Sequence, residues 1–173
     1  MPTKINKRPN RIKIMSNIVK RMPNITKIRT NIAKVRPHGK NNAKDGQTEA
    51  KFSECWKTEN GGRALQAPDA VLLSFDLEFN RALKSANFSG NSFGDGGTAA
   101  LSEALKTNIT LETLELQSNK VGAAGAQSLA GMLQVNRALT SVNLLKNDLV
   151  DGAATIVAAA KQNGNIKTLC GIK

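Results

Sequence analysis

The second half of the chain repeats itself every 28 residues, and a period of that length restricts the fold more than any single motif could. One block, "LKSANFSGNSFGDGGTAALSEALKTNIT", begins at Leu83. The next, "LETLELQSNKVGAAGAQSLAGMLQVNRA", begins at Leu111, and a third, one residue shorter, begins at Leu139. A fourth opens with "IKTLCGIK" at Ile166. Matched positions keep their character: Leu83, Leu111, Leu139 and Ile166; Phe88, Leu116 and Leu144; Asn91, Asn119 and Asn147; Leu101, Leu129 and Ile156. Leu73, Leu77 and Asn80 stand 28 residues before Leu101, Leu105 and Asn108, so the helical half of an earlier unit lies in front.

Each unit changes period part-way. In "LETLELQSN" Leu114 and Leu116 alternate as on one face of a strand. In "GAAGAQSLAGML" Ala123, Ala126, Leu129, Ala130 and Leu133 recur at steps of three and four, the helical period. Asn80, Asn108, Asn136 and Asn163 each stand three residues before the next unit's first aliphatic residue. Asparagine tolerates the left-handed backbone that ends many helices, so these are expected helix stops. Asn91, Asn119 and Asn147 fall where the chain leaves the strand. Backbone groups there have no ladder partner. An inward amide offers two donors and an acceptor, so a structural asparagine ladder between neighbouring coils is expected.

With these residues in place, the chain resembles the ribonuclease-inhibitor-like class of leucine-rich repeats, found also in NOD-like receptors. The unit of that class reads LxxLxLxxNxL before a Gly- and Ala-rich helix. The match is close at Leu111–Asn119 and looser in the first block, where Ala86 replaces a leucine. The resemblance implies an α/β fold: a right-handed β-α solenoid with parallel strands on the concave face and helices on the convex face. It covers residues 68–173. Residues 50–67 are a linker or amino-terminal cap, with Phe52 and Trp56 expected to cover Phe75 and Phe79. Residues 1–49 are a basic low-complexity arm, expected to be largely disordered. At the other end, an uncovered last strand invites pairing with a second chain. Alternatively, the chain is a fragment of a longer repeat protein.

Charge is divided sharply. Residues 1–65 carry 16 Lys/Arg and 4 Asp/Glu, whereas residues 66–173 carry 9 of each. The net charge of +12 therefore belongs to the amino-terminal part, and the repeats have no electrostatic preference for phosphate. Residues 1–44 hold 13 Lys/Arg and no acid, in a seven-residue pattern broken by Pro9, Pro23 and Pro37. Proline excludes one long helix. Short basic amphipathic helices touching an anionic membrane, an organelle-targeting segment, weak nucleic-acid contact and plain disorder all remain open for this arm. No aromatic residue is present there for base stacking. Two cysteines 115 residues apart, Cys55 and Cys170, point to a reducing compartment and a cytoplasmic protein. No apolar run approaches the roughly 18 residues of a membrane span.

Catalytic and cofactor chemistry finds little purchase. His38 is the single histidine and lies in the arm, away from any rigid element that could orient it for a catalytic triad. With one histidine and two distant cysteines no zinc site can be drawn, and no cofactor is expected. "GNSFGDGG" and "GAAGAQS" lack the lysine of a phosphate-binding loop and sit where each unit enters its helix. Asp95, Glu103, Asp148 and Asp151 read as solvated charges on turns and outer helices. What remains is a surface. The strand positions facing away from the leucines are Ser85, Asn87 and Ser89; Thr113, Glu115 and Gln117; Ser141, Asn143 and Leu145. Thr168, Cys170 and Ile172 continue these columns. By family analogy the expected role is a non-enzymatic module whose concave face binds a protein partner. The alternative is a targeting or anchoring function in the arm.

Overall fold

The computed structural model of the chain describes residues 64–172 and the short strand at 49–51. Strands and helices alternate: β1 (Glu49–Lys51), α1 (Ala67–Phe79), β2 (Ser85–Asn87), α2 (Gly94–Thr107), β3 (Thr113–Glu115), α3 (Ala123–Val135), β4 (Ser141–Asn143), α4 (Gly152–Asn163) and β5 (Thr168–Leu169). All strand pairs are parallel and follow chain order, β1-β2-β3-β4-β5. Each helix packs against the next in the same order. A helix must return the chain before a parallel strand can form, and chain-order neighbours throughout make the result a solenoid. The arm through residue 48, and Phe52 and Trp56 of the expected cap, lie outside the described residues. Phe75 is half-buried and Phe79 is 69% exposed.

Register reproduces the repeat. Ser85 aligns with Thr113, Thr113 with Ser141 and Ser141 with Thr168. Columns of equivalent residues thereby stack inside the molecule. Leu83, Leu111 and Leu139 are fully buried, as are Ala86 and Leu114, Phe88 and Leu116, and Leu101 and Leu129. At the amino-terminal edge β1 pairs Glu49 with Ser85, a step of 85 − 49 = 36 residues that no leucine pattern announces.

The helix-end asparagines stop their helices by a route other than the expected one. Asn80, Asn108 and Asn136 have φ near −70° and ψ near +130°, an extended backbone rather than a left-handed one. Their side chains do the work. The Asn136 amide donates to the carbonyls of Leu105 (2.6 Å) and Asn108 (3.0 Å) in the preceding coil. Its Oδ1 accepts the N–H groups of Ala138 (2.9 Å) and Leu139 (2.8 Å) ahead of it. Asn108 repeats this one coil earlier, on Leu77 and Asn80 behind and Thr110 and Leu111 ahead. Asn163 donates to Leu133 and Asn136. Carbonyls at helix ends have no partner inside the helix, and here the next coil supplies it. A left-handed stop occurs at Gly164, φ +72°, after α4.

The second column stands at the strand exits, as expected. Asn147 donates to Leu116 (2.8 Å) and Leu144 (2.9 Å) and accepts from the backbones of Asn119 (2.8 Å) and Val121 (3.1 Å). Asn119 donates to the Phe88, Leu116 and Gln117 carbonyls. Its buried Oδ1 has no partner among the described residues. Asn91 accepts from Leu65 N–H and donates to Phe88. Just before each asparagine the chain turns through positive φ, at Gly90 (73°), Ser118 (57°) and Lys146 (56°). For Ser118 and Lys146 that conformation costs about 1 kcal/mol or more each.

Where the ladder lacks its Asn119 acceptor, Asp95 spans the same joint. This residue is not the solvated charge expected: its Oδ1, on α2, accepts the N–H groups of Gly122 (2.7 Å) and Gly125 (2.9 Å) at the start of α3. A carboxylate there satisfies orphan donors and opposes the positive end of the helix dipole. The glycines permit the approach, since a Cβ on Gly125 would lie 2.7 Å from Asp95 Oδ1. Gly97 and Gly152 hold the same position in α2 and α4. Added Cβ atoms there would meet Ala70 at 2.9 Å and Ala126 at 2.4 Å.

The outer edge of β5 is not open to a second chain. Leu169 N–H donates to Ile172 C=O, and Ile172 N–H returns to Leu169 C=O, each at 3.0 Å. Positive φ at Cys170 (54°) and Gly171 (81°) folds the chain back to make these bonds. They occupy the groups through which another strand would add.

Asn136→Ala is expected to lower unfolding free energy by about 2–4 kcal/mol, because it strips both donors and the acceptor from a buried corner. Asn119→Ala, which removes donors alone, should cost roughly half as much, and urea melts of the two variants would establish the order. Gly152→Val should cost about 1–3 kcal/mol through overpacking against Ala126. A Cβ on Gly131, inside α3, would meet nothing within 4 Å. Thermal melts should therefore find Gly131→Ala stabilised by about 0.5–1 kcal/mol.

Candidate functional site

Neighbouring strands lie about 4.8 Å apart whereas packed helices need about 8–10 Å. A stack with strands on one side and helices on the other therefore bends toward its strands, and the strand face becomes concave. β2, β3 and β4 each bury their middle residue (Ala86, Leu114 and Val142) and leave the flanking residues half-exposed. The alternation's residues Ser85 and Asn87, Thr113, Glu115 and Gln117, and Ser141, Asn143 and Leu145 are half-buried or exposed there, whereas the hydroxyl of Ser89 is buried. Register places Ser85, Thr113, Ser141 and Thr168 in one row and Asn87, Glu115 and Asn143 in the next.

Several of these groups are held in place. Asn143 donates to Glu115 Oε2 at 2.7 Å and reaches Gln117 Oε1 at 3.5 Å. Its own Oδ1 accepts Leu145 N–H at 3.1 Å, and Asn87 Oδ1 accepts Ser89 N–H at 2.9 Å. Anchoring to the main chain fixes the two asparagines, and Asn143 in turn fixes the carboxylate. On the rim Lys84 and Glu112 pair at 2.6 Å with about half of each side chain exposed, a contact worth about 0–1 kcal/mol. Leu145, 49% exposed, gives the face an apolar end beside β5.

Thr168 continues the first column into β5, but Cys170 and Ile172 do not continue the other two as expected. At Cys170 the backbone has turned, and the residue packs against the core, where Sγ accepts Leu144 N–H at 3.4 Å. Ile172 returns beside Leu169 and is 75% exposed. The strand is only two residues long because Cys170 and Gly171 leave β geometry. Three strands carry all three columns, and β5 adds Thr168 to the first.

Its chemistry is one fixed carboxylate, amides, hydroxyls and one exposed leucine. Among the described residues no cluster of His, Cys, Asp and Glu is placed to hold a metal ion. Nor is any helix among them long and apolar enough to cross a membrane.

Comparison with known proteins agrees with the coil geometry. Residues 107–130, from the end of α2 through β3 into α3, match the family described as "Leucine Rich repeat". No curated protein matches in sequence. Among solved structures the fold is similar to one titled "Leiomodin-1 Actin-Binding Site 2 (ABS2)", with a TM-score of 0.62 at 20% identity, over 82% of this chain and 75% of that one. One coil carries the family's sequence signature and its neighbours repeat the same architecture: the chain is folded as a leucine-rich-repeat solenoid.

Proposed function

We propose that the solenoid is a non-enzymatic interaction module of the ribonuclease-inhibitor-like class, which takes an extended segment of a partner protein along its concave face. The observation that carries this reading is the fixed row across β2, β3 and β4, where Glu115 is held by Asn143 and ends beside exposed Leu145. Side chains already immobilised lose little entropy on binding. The partner segment is basic or rich in N–H donors opposite Glu115 and apolar opposite Leu145. The similar solved structure is described as an actin-binding site, so actin is the first partner to try. Among the described residues of the three strands there is no Trp, Tyr or Arg, the usual sources of strong binding, and the expected affinity is modest. A cytoplasmic location is consistent with the spare use of cysteine.

The charge distribution favours a second activity elsewhere in the chain. With 13 Lys/Arg and no acid, residues 1–44 form an arm suited to anionic surfaces. Deleting these residues should abolish retention on vesicles containing phosphatidylserine. Unchanged retention would make the arm passive.

The concave face is tested by titrating actin, or a partner captured with the intact chain, against a Glu115→Arg/Leu145→Asp double variant. Affinity should fall about tenfold or more. Unchanged affinity would move the site off this face.

A further inference from the structure

The corners between each helix and the next strand form one edge of the stack, and three large apolar side chains stand uncovered along it. Phe79 and Val135, the last residues of α1 and α3, are 69% and 52% exposed, and Ile109, just past the end of α2, is 73% exposed. Register brings them together. Arg81, Ile109 and Arg137 precede the aligned Ser85, Thr113 and Ser141 by the same interval, so they follow one another coil by coil. Asn108 and Asn136 bond to the main chain of Asn80 and Asn108 and hold the three corners side by side. Apolar side chains exposed singly are ordinary, whereas a group of them on one surface marks a place of contact.

Two guanidinium groups frame the central isoleucine. Arg81 Nη1 donates to the carbonyls of Glu78 (3.1 Å) and Asn80 (3.4 Å), and Arg137 Nη1 to that of Gln134 (3.0 Å). Each arginine is thereby folded back on the end of its own helix, yet both residues are exposed and a guanidinium has further donors to give. The acids of this edge are taken: Glu103 pairs with Lys106 and Glu112 with Lys84, each at 2.6 Å, and Glu78 is engaged as well. Neither arginine has an acidic partner among the described residues.

These charges choose the occupant. The arm, with 13 Lys/Arg and no acid in residues 1–44, is repelled from this edge. A lipid surface asks for apolar and basic groups on separate faces, whereas here they alternate along the row. A phosphate chain would leave the apolar side chains unused. Carboxylates with an apolar residue between them use every group present. Coils repeat at about 4.8 Å on the strand side and about 8–10 Å on the helix side. The two arginines, two coils apart, are therefore separated by roughly 10–20 Å, the span of about three to six extended residues.

We infer that this edge is a docking site for an extended acidic segment of a partner protein, whose carboxylates pair with Arg81 and Arg137 while an apolar side chain between them packs on Ile109. Phe79 and Val135 border the same row and receive flanking apolar residues. Charge-assisted pairs of arginine with carboxylate are strong and geometrically specific, and arginine is the anchor type that the concave face lacks. The edge asks for a charge opposite to the one that suits Glu115, so it does not depend on the binding role proposed above.

Fluorescence anisotropy of a labelled, glutamate-rich peptide with a central leucine, titrated with the full chain, tests this. Arg81→Glu/Arg137→Glu should lower its affinity about tenfold or more, and Ile109→Ser about threefold or more, while circular dichroism shows an unchanged fold. Serine in place of the peptide's leucine should have the effect of Ile109→Ser. The Glu115→Arg/Leu145→Asp variant should bind the peptide as tightly as its parent. Capture by the basic arm would be indifferent to Ile109→Ser and to the peptide's leucine, and that result would overturn the inference. So would an absence of binding by the parent chain at about 1 mM, or an equal loss in the Glu115→Arg/Leu145→Asp variant. Retention on an oligouridylate or on phosphatidylserine vesicles that falls with Arg81→Glu/Arg137→Glu, when peptide binding does not, would assign the edge to that ligand instead.

Discussion

Every coil of this molecule bends sharply twice, and each bend leaves buried backbone groups that neither a helix nor a sheet ladder can satisfy. A group left unpaired there costs on the order of 1–3 kcal/mol, and each coil has several. The structure depends on a single side chain, asparagine, placed at both corners. At the helix corner its donors reach the preceding coil and its acceptor serves the residues just ahead. At the strand corner Asn91 and Asn147 accept backbone N–H groups of the preceding coil. Asn108, Asn136 and Asn163 close the helix corner, and Asn91, Asn119 and Asn147 the strand corner. Aliphatic columns supply the favourable burial. Only the amides make it possible for the main chain to turn inside that apolar interior.

Close helix contact is the second requirement, and it is met by leaving side chains out. Gly97, Gly125 and Gly152 stand where consecutive helices begin beside one another, with no room for a Cβ. At the α2–α3 joint the space admits the Asp95 carboxylate, which binds the opening turn of α3. The same joint has the Asn119 oxygen without a partner. A charge on the helix side thus stands at the joint whose amide column is interrupted, so equivalent joints of the repeat are held by different means.

Much of this was legible in the sequence because the spacing of 28 residues is itself the strand register. The core columns, the inward Leu114 and Leu116, and the outward Glu115 and Asn143 follow from it directly. What escaped has a common cause: interactions between coils have no local signature. Asn136 was expected to end α3 through a left-handed backbone, yet it does so through bonds to carbonyls 28 and 31 residues away. Asp95 read as solvated because its partners lie 27 and 30 residues on. Cys170 fell out of its column since a fold-back, invisible in a pattern of apolar residues, ends β5. Strand β1 escaped because Glu49–Lys51 pair with β2 at a step that differs from the repeat and no leucine marks them.

The helix-corner amides also have a direction. Asn108, Asn136 and Asn163 all give their protons to carbonyls nearer the amino terminus, never to the coil that follows. A nascent chain leaves the ribosome in that same order, earlier residues first. Each new turn of the solenoid emerges to find its acceptors already in place, and assembly can keep pace with translation rather than wait for its end.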